Sequence, residues 1–302
     1  MIGSFGLAPR GTMRVRALPL ARALAALGHS VTVLMPPWHT PEEPPRVWED
    51  GGVRLEYVSL SPRLLGLQQL AIAIRLLRRA LAWRPDVLHV FKPIGYSALV
   101  ARLALGLRKL GVYRGRVVVD ADDWEGDGGW NVLLGRPGAL RWLVARQERW
   151  CLRHADAVTV ASRTLQSLVW SLGGPPERVT YLPNGCEAPL RGDGLAARQR
   201  HALDNTPVIL LYTRFFEFDE ARPLEVLDRI LRQRPDARLL VVGAALDLRQ
   251  DQRFDRLVGE RLLTERVVRT GWLPMEALGD YLAAADVALY PFDDTLINRC
   301  KC

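Results

Sequence analysis

The sequence of 302 residues contains very little lysine. Lys92, Lys109 and Lys301 are its only lysines among 41 basic residues, so arginine carries almost all of the formal charge of +8. Such an arginine excess often reflects genome composition and does not by itself indicate nucleic-acid binding. Phosphorylated ligands or an anionic membrane surface fit the charge better, and no nucleic-acid partner is predicted.

The sequence also lacks the roughly 18 consecutive apolar residues of a membrane span, because polar residues interrupt its most apolar segment, 64–83. The first residues look like the end of a strand rather than a signal peptide. Its four cysteines, at 151, 186, 300 and 302, lack the paired spacing of zinc sites, and reduced thiols fit them best. We therefore expect a cytoplasmic protein without a zinc site.

A dinucleotide-binding fingerprint is missing as well. Gly3, Gly6 and Gly11 do not space as G-x-G-x-x-G, and the predicted strand at 30–35 does not end in an acid that could hold a ribose. These absences disfavour a nicotinamide-dependent enzyme. The loop at 6–12 nevertheless joins a strand to a helix whose free N–H groups can receive an anion.

What the sequence does contain is a regular alternation of short apolar runs with amphipathic segments. Strands that alternate with helices of roughly 10–20 residues predict parallel βαβ units and an α/β fold. A proline-rich stretch, 36–50, is predicted as a surface loop, and 187–205 as a polar connector. The predicted strands are 1–5, 30–35, 53–60, 86–91, 116–120, 155–161, 179–182, 208–212, 238–242, 266–270 and 286–290.

One stretch, 179–187, separates two series of this alternation. Its apolar run ends at Pro183, which cannot donate to a ladder, and Asn184-Gly185 readily adopts positive φ. An ordinary strand-ending turn would have the same sequence, but its position between the two series favours a hinge. The length of the chain also exceeds a comfortable single core.

We therefore predict two Rossmann-like doubly wound parallel-sheet domains, an acceptor-side domain at 1–186 and a nucleotide-sugar-binding domain at 187–302. The second series stops after Pro291, within an unfinished βαβ unit that would expose a sheet edge. We expect the chain to be a fragment whose second domain is incomplete.

Polar residues at the carboxyl ends of the predicted strands are the candidates for chemistry. Asp120, Asp122 and Asp123 follow one strand, and three carboxylates this close raise one another's pKa, so that one could act as a base or hold a hydroxyl. Their spacing is also compatible with a divalent metal held through nucleotide phosphates, or with simple capping of a loop.

Three further candidates end other strands. His89 and Lys92 could face a cleft on the acceptor side, although a lone strand histidine is also a common structural hydrogen-bonding residue. Arg214 could bind a diphosphate in a bidentate manner, and a surface role fits its spacing equally well.

Eight short motifs, in this order, resemble the retaining nucleotide-sugar glycosyltransferases of family 4, which have the GT-B fold. The resemblance covers essentially the whole chain, and the first motif follows a glycine loop and a helix. The motifs are LGHSVTV (27–33), PDVLHV (85–90), ADAVTVAS (155–162), YLPNG (181–185), YTR (212–214), LLVVG (239–243), GWLP (271–274) and ADVALYP (285–291).

The resemblance implies a nucleotide-diphosphate sugar on the second domain, an acceptor on the first, and no metal or other cofactor, since positive side chains and a helix N-terminus neutralise the leaving diphosphate. It implies acceptor-side roles for His89, Lys92 and Asp123. The implied donor-binding residues are Gly11, Arg214, Gly243, Trp272, Leu273 and Lys301.

Three departures from the family pattern matter. Asp219 and Glu220 stand where members often have a lysine, so the donor site could borrow Lys301. Asp122 stands in the place of a histidine near the reacting sugar, which makes it the predicted catalytic residue. The family's two acids eight positions apart would lie beyond Cys302, so the fragment alone is expected to be inactive.

The resulting hypothesis is transfer of a sugar to a hydroxyl, with retention, in the synthesis of a cell-envelope glycan or glycolipid. The alternative is a non-catalytic module with this fold that binds sugar nucleotides or associates with a membrane. Basic and aromatic residues could touch an anionic membrane that carries a lipid-linked acceptor at its cytoplasmic face, although a solvated face over a core fits them too. They are Arg75, Arg78, Arg79, Trp142, Arg146, Arg149 and Trp150.

Overall fold

A computed structural model describes residues 1–8, 11–60, 67–185 and 190–301. The chain forms two compact units, Met1–Glu187 with Thr295–Cys302, and Ala188–Asp294. The sequence predicted domains at 1–186 and 187–302, and in the structure the end of the chain does not belong to the second unit. It joins the first because Cys300 is fully buried in the core there, with Leu296 packed against the same core.

The sheet of the first unit is parallel except at one edge. Its spatial strand order is β2-β3-β1 followed by β4-β5-β6-β7, and Ile2 joins the two sets by bridging Leu34 and Val90. The strands are β1 Thr32–Met35, β2 Arg46–Asp50, β3 Val53–Tyr57, β4 Val87–Phe91, β5 Arg116–Ala121, β6 Ala157–Val160 and β7 Val179–Tyr181.

Strand β2 corrects the prediction of a surface loop at 36–50. It pairs antiparallel with β3 through a turn in which Gly51 and Gly52 have φ of +58° and +76°. The strand lies at the edge of the sheet and three of its five residues are charged, so it has no buried apolar run that could reveal it.

The helices of the first unit cover the faces of this sheet. The first begins with a π-helical segment, Met13–Ala17, and Ser162 caps α6 by accepting a hydrogen bond from the Leu165 N–H at 3.1 Å. The first residues of the apolar segment 64–83, 64–66, lie outside the described ranges. The helices are α1 Leu18–Ala26, α2 Leu67–Ala82, α3 Gly95–Lys109, α4 Trp130–Leu133, α5 Gly138–His154 and α6 Arg163–Ser171, with a 3₁₀ turn at Pro176–Arg178.

The second unit has a fully parallel sheet of spatial order β10-β9-β8-β11. Ile209 and Leu211 of β8 enter one apolar cluster, while Val208 and Leu210 enter another, so helices cover both faces and the unit is doubly wound. The strands are β8 Val208–Tyr212, β9 Arg238–Val242, β10 Val267–Gly271 and β11 Val287–Ala288; the helices are α7 Gly194–Arg200, α8 Ala221–Leu231, α9 Leu248–Glu260 and α10 Met275–Ala283.

Three short helices were not predicted. Helix α4 has only four residues, Trp130–Leu133. Helix α7 lies in the segment predicted as a polar connector, where the Asp193 side chain caps it by accepting from the Leu195 N–H at 3.0 Å. Helix α11, Leu296–Arg299, belongs to the first unit. All three are too short for a clear period in the sequence.

In the ranges that the structure describes, no helix combines the length and the apolar character needed to cross a bilayer.

Candidate functional site

A cluster of buried charges lies at the carboxyl ends of β4 and β5 in the first unit. Lys92 follows β4 with a left-handed φ of +53°, and its Nζ lies 2.8 Å from Glu125 Oε1, 3.3 Å from Asp123 Oδ2 and 3.5 Å from Asp122 Oδ1. Neighbouring parallel strands end at the same edge, which brings the predicted residues Lys92, Asp122 and Asp123 together.

The charge of Lys92 holds this cluster together. Burial alone would lower the pKa of the ammonium, but Asp122, Glu125 and Asp123 outweigh it and raise the pKa of Lys92 well above its ordinary value. Lys92 therefore stays cationic and fixes the loop that follows β5.

Asp122, the predicted catalytic residue, is buried beside the start of the first helix. Thr12 Oγ1 donates to Asp122 Oδ2 at 2.5 Å, and the Gly11 carbonyl accepts from the N–H groups of Arg14 and Val15 as the helix begins. Burial raises the pKa of Asp122 to about 6; Asp123 and Asp120 add to the rise, while Lys92 and Thr12 oppose it. A carboxyl group with such a pKa can accept a proton near neutral pH.

Asp120 has a separate partner that the sequence analysis missed. Arg16 forms a bidentate pair with it, with Nε and Nη2 at 2.7 and 2.8 Å from the two carboxylate oxygens, and Arg16 Nη1 donates to Asn184 Oδ1 at 2.9 Å. Thr159 also donates to Asp120. The three neighbouring aspartates are thus divided between two cations. One signal was available: Thr12 and Arg16 are four residues apart and share a helix face.

His89 lies deeper in β4, away from the lysine cluster. Its ring packs on Phe91 with centroids 4.5 Å apart, and Nε2 lies 3.3 Å from Thr159 Oγ1. Burial lowers its pKa to about 4, with Asp120 opposing that shift, so the ring is neutral at pH 7. These contacts match the structural hydrogen-bonding alternative, and an acceptor-side role for His89 stays a prediction.

Glu148 of α5 is a second residue that the sequence analysis missed. It is fully buried, its Oε1 accepts from the Glu125 N–H at 3.1 Å, and burial together with the charge of Glu125 raises its pKa well above the usual value. Glu148 interrupts the buried face formed by Val144, Cys151 and Leu152, so an acid within an apolar stripe was the available signal.

In the second unit, backbone groups at the ends of β8, β9 and β10 lie close together. Gly243 has φ of +104° and its N–H donates to the Gly271 carbonyl at 2.9 Å, while the Thr213 N–H donates to Val242 O at 2.9 Å. A Cβ at Gly243 would lie 2.1 Å from the Thr213 carbonyl oxygen, so only glycine fits there. This approach places Gly243 beside the segment that carries Arg214.

Arg214 follows β8 with its side chain 44% exposed. Its Nε lies 3.1 Å from Glu217 Oε1 and its guanidinium covers the Phe216 ring at 4.3 Å, which leaves part of the guanidinium open to an incoming anion. Trp272, after β10, is largely exposed, and Leu273 packs partly into the core.

The two acids in place of the family's lysine share one arginine of α9. Arg253 lies 2.8 Å from Glu220 Oε2 and 3.2 Å from Asp219 Oδ2. Lys301, which the sequence analysis placed in the donor site of the second domain, lies instead in the first unit, where its Nζ is 5.7 Å from the centroid of the Trp130 ring. Lys301 lies in the first unit because its neighbour Cys300 is buried in the core of that unit.

The described part of the first unit contains a cavity near the charge cluster and another at the opposite end of the strands. One of about 160 Å³, lined by Arg16 and Asn184, lies beside the charge cluster, and one of about 510 Å³ lies between Arg84 and Arg116 at the opposite, amino ends of β4 and β5. Within the described ranges, no group of three or more histidine, cysteine or acidic side chains is arranged to hold a metal ion.

Comparisons with known proteins agree with this architecture. Glycogen synthase of Mycobacterium tuberculosis is 28% identical over 294 residues, which cover 90% of this chain and 66% of that protein. Sucrose-phosphate synthase from Thermosynechococcus elongatus superposes with a TM-score of 0.67 at 20% identity, over 97% of this chain and 76% of that one. HepE of Anabaena, in complex with UDP and glucose, superposes with a TM-score of 0.63 at 16% identity, over 95% and 72%.

The chain thus spans 66% of the length of that curated relative. The solved structures bear out the predicted α/β fold with two Rossmann-like sheets, which is the GT-B fold. A family model described as "Glycosyl transferase 4-like domain" matches residues 11–185, more than half of the chain. The chain belongs to this glycosyl transferase 4-like family, with a GT-B fold.

Proposed function

We propose that the protein is a retaining glycosyltransferase, which moves a sugar from a nucleotide diphosphate to a hydroxyl group of an acceptor. The observation that carries this proposal is Asp122, a buried carboxylate with a pKa of about 6 that is held by Thr12 and Lys92 at a strand end. A carboxylate in this setting can accept a hydrogen bond or a proton from a hydroxyl that attacks a sugar. Family membership supports the same reaction class.

The second unit would hold the donor. Arg214 offers a partly exposed guanidinium for a diphosphate, and the turn at Gly243 lets a ligand approach the backbone closely. Trp272 and Leu273 would lie near the base. The Anabaena relative, solved with UDP and glucose, supports a uridine nucleotide as the first donor to test. We place no metal or further cofactor in the reaction, since guanidinium and backbone N–H groups can stabilise a leaving diphosphate.

We further propose an acceptor in a cell-envelope glycan or glycolipid and a cytoplasmic location at the membrane face. The free thiols of Cys151 and Cys300 suit a reducing compartment, and the formal charge of +8 suits an anionic surface.

A calorimetric titration of UDP, GDP and ADP into the 302-residue chain tests the donor assignment. We expect binding of at least one diphosphate, and no heat with any of the three would refute the assignment. Because the fragment alone is expected to be inactive, a chain extended beyond Cys302 is used to test Asp122 by transfer to sugar and glycolipid acceptors. Asp122→Asn should abolish turnover there, while Asp127→Asn, at an exposed carboxylate of the same loop, should not.

A non-catalytic module that binds sugar nucleotides is a second candidate. The pairing of Asp219 and Glu220 with Arg253 favours it, because those acids replace a cation expected near the donor phosphates. Nucleotide binding without turnover in the same extended chain, unchanged by Asp122→Asn, would identify such a module.

A further inference from the structure

Large apolar side chains are concentrated on the outside of α4 and the first turns of α5. We call residues 130–146 the apolar lobe. Six of its large apolar side chains are 44–63% exposed, a density that a monomeric surface rarely maintains unless it meets a partner. They are Val132, Leu133, Leu134, Leu140, Trp142 and Leu143.

The lobe is held from within by polar groups rather than by its apolar side chains. Asn131 is fully buried; its Nδ2 donates to Arg141 O at 3.0 Å and its Oδ1 accepts from Arg136 Nη1 at 2.9 Å. Gly135, with φ of +56°, turns the chain between the two helices. The internal contacts of Asn131 therefore fix the backbone with the apolar groups facing outward.

The charged residues of the lobe itself have one sign. Between residues 128 and 147 the sequence has no Asp or Glu but contains Arg136, Arg141 and Arg146, of which Arg136 is bound to Asn131 and lies 4.0 Å from Glu125. The Arg146 guanidinium lies over the Trp142 ring, 5.4 Å from its centroid. The next acid, Glu148, is fully buried and does not offset this charge at the surface. Arginine and tryptophan beside leucine match the interface of an anionic bilayer, where guanidinium groups meet headgroups and apolar groups enter the acyl boundary.

Two of the other basic residues considered for membrane contact have partners inside the protein, whereas Arg78 and Arg149 are exposed. Arg79 forms a bidentate pair with Glu56, and Arg75 donates to Ser59 O. Trp150 stacks on His154. The lobe thus combines six exposed apolar side chains with the guanidinium groups of Arg141 and Arg146.

The lobe is also tied to the charge cluster. The Asn131 N–H donates to Glu125 O at 3.1 Å, and Glu125 Oε1 holds Lys92 at 2.8 Å. A lobe resting on a bilayer would therefore keep the loop of Asp122 near the membrane surface, where the hydroxyl of a lipid-linked acceptor would be found.

We propose that the apolar lobe docks the first unit onto an anionic lipid bilayer. This inference rests on the proposed function for the role of docking, which is to present a lipid-linked acceptor, but the docking itself requires neither donor nor turnover.

Co-sedimentation with vesicles tests the docking. We expect the 302-residue chain to bind vesicles of phosphatidylcholine mixed with phosphatidylglycerol, to bind phosphatidylcholine alone much more weakly, and to dissociate as salt is raised. The double variant Leu133→Ser/Trp142→Ser should weaken binding about tenfold or more, because both side chains leave the acyl boundary. Arg141→Gln/Arg146→Gln should weaken binding to the anionic vesicles by about tenfold and remove much of the salt dependence.

Matched controls replace leucines elsewhere that are even more exposed than Leu133. Leu110→Ser, in the same unit beyond α3, and Leu248→Ser, in the second unit, should leave vesicle binding unchanged. Brominated lipid should quench part of the tryptophan fluorescence of the parent protein and less in Trp142→Phe, a readout that does not need the double variant to fold.

Failure of the parent chain to bind anionic vesicles would overturn the proposal, as would an equal loss in Leu110→Ser. Dimers in sedimentation velocity that Leu133→Ser/Trp142→Ser dissociates, without vesicle binding, would instead identify an interface between copies. Calorimetry with UDP on the same samples separates the two hypotheses: nucleotide binding without vesicle binding refutes the lobe alone, and vesicle binding without nucleotide binding refutes the donor assignment alone.

Discussion

In the first unit the ends of β4 and β5 carry interlocked buried charges, whereas in the second unit the ends of β8 and β9 carry closely packed backbone and one half-exposed arginine. Arg16 and Lys92 each neutralise carboxylates within hydrogen-bond reach, while Arg214 has a single acid beside it and an open side. The first arrangement is preorganised around its own charges. The second leaves part of the Arg214 guanidinium exposed, where it can bind an anion such as a diphosphate.

This contrast predicts the largest loss of stability at the buried pair of the first unit. Asp120→Asn leaves the buried Arg16 guanidinium without its counter-charge, which should lower the free energy of unfolding by about 3–5 kcal/mol. Urea denaturation measures the change. Asp236→Asn, which makes the same substitution in an exposed pair with Arg234, should have no measurable effect. Equal effects of the two variants would contradict the contrast.

In the second unit, we expect stability to depend most on a closely packed backbone position, Gly243, rather than on a charged side chain. Gly243→Ala forces a Cβ onto the Thr213 carbonyl at a left-handed φ, and should lower the free energy of unfolding by roughly 3 kcal/mol. Gly259→Ala in α9 meets nothing within 4 Å and should be neutral or slightly stabilising. Thermal and urea unfolding of both variants would check this, and a harmless Gly243→Ala would show that the strand ends are not closely packed.

Asp122 and His89 of the first unit should change the stability of the protein with pH in opposite directions. The folded pKa of Asp122, about 6, exceeds its ordinary 3.8, so its contribution to stability is lost as pH rises through 6. The folded pKa of His89, about 4, lies below its ordinary 6.5, so its contribution is lost as pH falls through that range. The two nearly cancel in the parent protein.

Between neutral pH and pH 4, Asp122→Asn should therefore lose more of its free energy of unfolding than the parent protein does. His89→Gln should lose less, and each difference should be on the order of 2 kcal/mol. Urea denaturation across this pH range measures both slopes, and the variants serve as controls for each other. Slopes of the same sign would show that one of the two groups is not buried as described.

The smallest effect should come from replacing Arg214, the half-exposed arginine of the second unit, and it should appear only in nucleotide binding. Arg214→Ala should weaken nucleotide diphosphate binding about tenfold, with little change in stability, because the guanidinium is half-exposed. Arg234→Ala removes the same charge from the segment that precedes β9, at the opposite end of the strands, and should not alter affinity. Calorimetry compares the two, and equal losses would mean that the second unit attracts nucleotides only through its net charge.

Much of the fold was predictable because apolar strands buried on both faces leave continuous runs in the sequence, as in β8 and β9. Edge strand β2 and the short helices α4 and α7 were missed, since exposed elements need not carry a buried pattern. Lys92, Asp122 and Asp123 were found because residues at strand ends are recognisable. Arg16 and Glu148 were missed because they reach the cluster from helices far away in the chain.

The sequence by itself determined the alternation of strands and helices, the division near residue 186 and the polar residues that end the strands. Only the tertiary structure decided which acid meets which cation, that Asp120 belongs to Arg16 while Asp122 belongs to Thr12 and Lys92, and that the chain end returns to the first unit. Local patterns arise from contacts within a few residues. Ion pairs and burial depend on which distant segments the folded core brings together, and no local pattern records that.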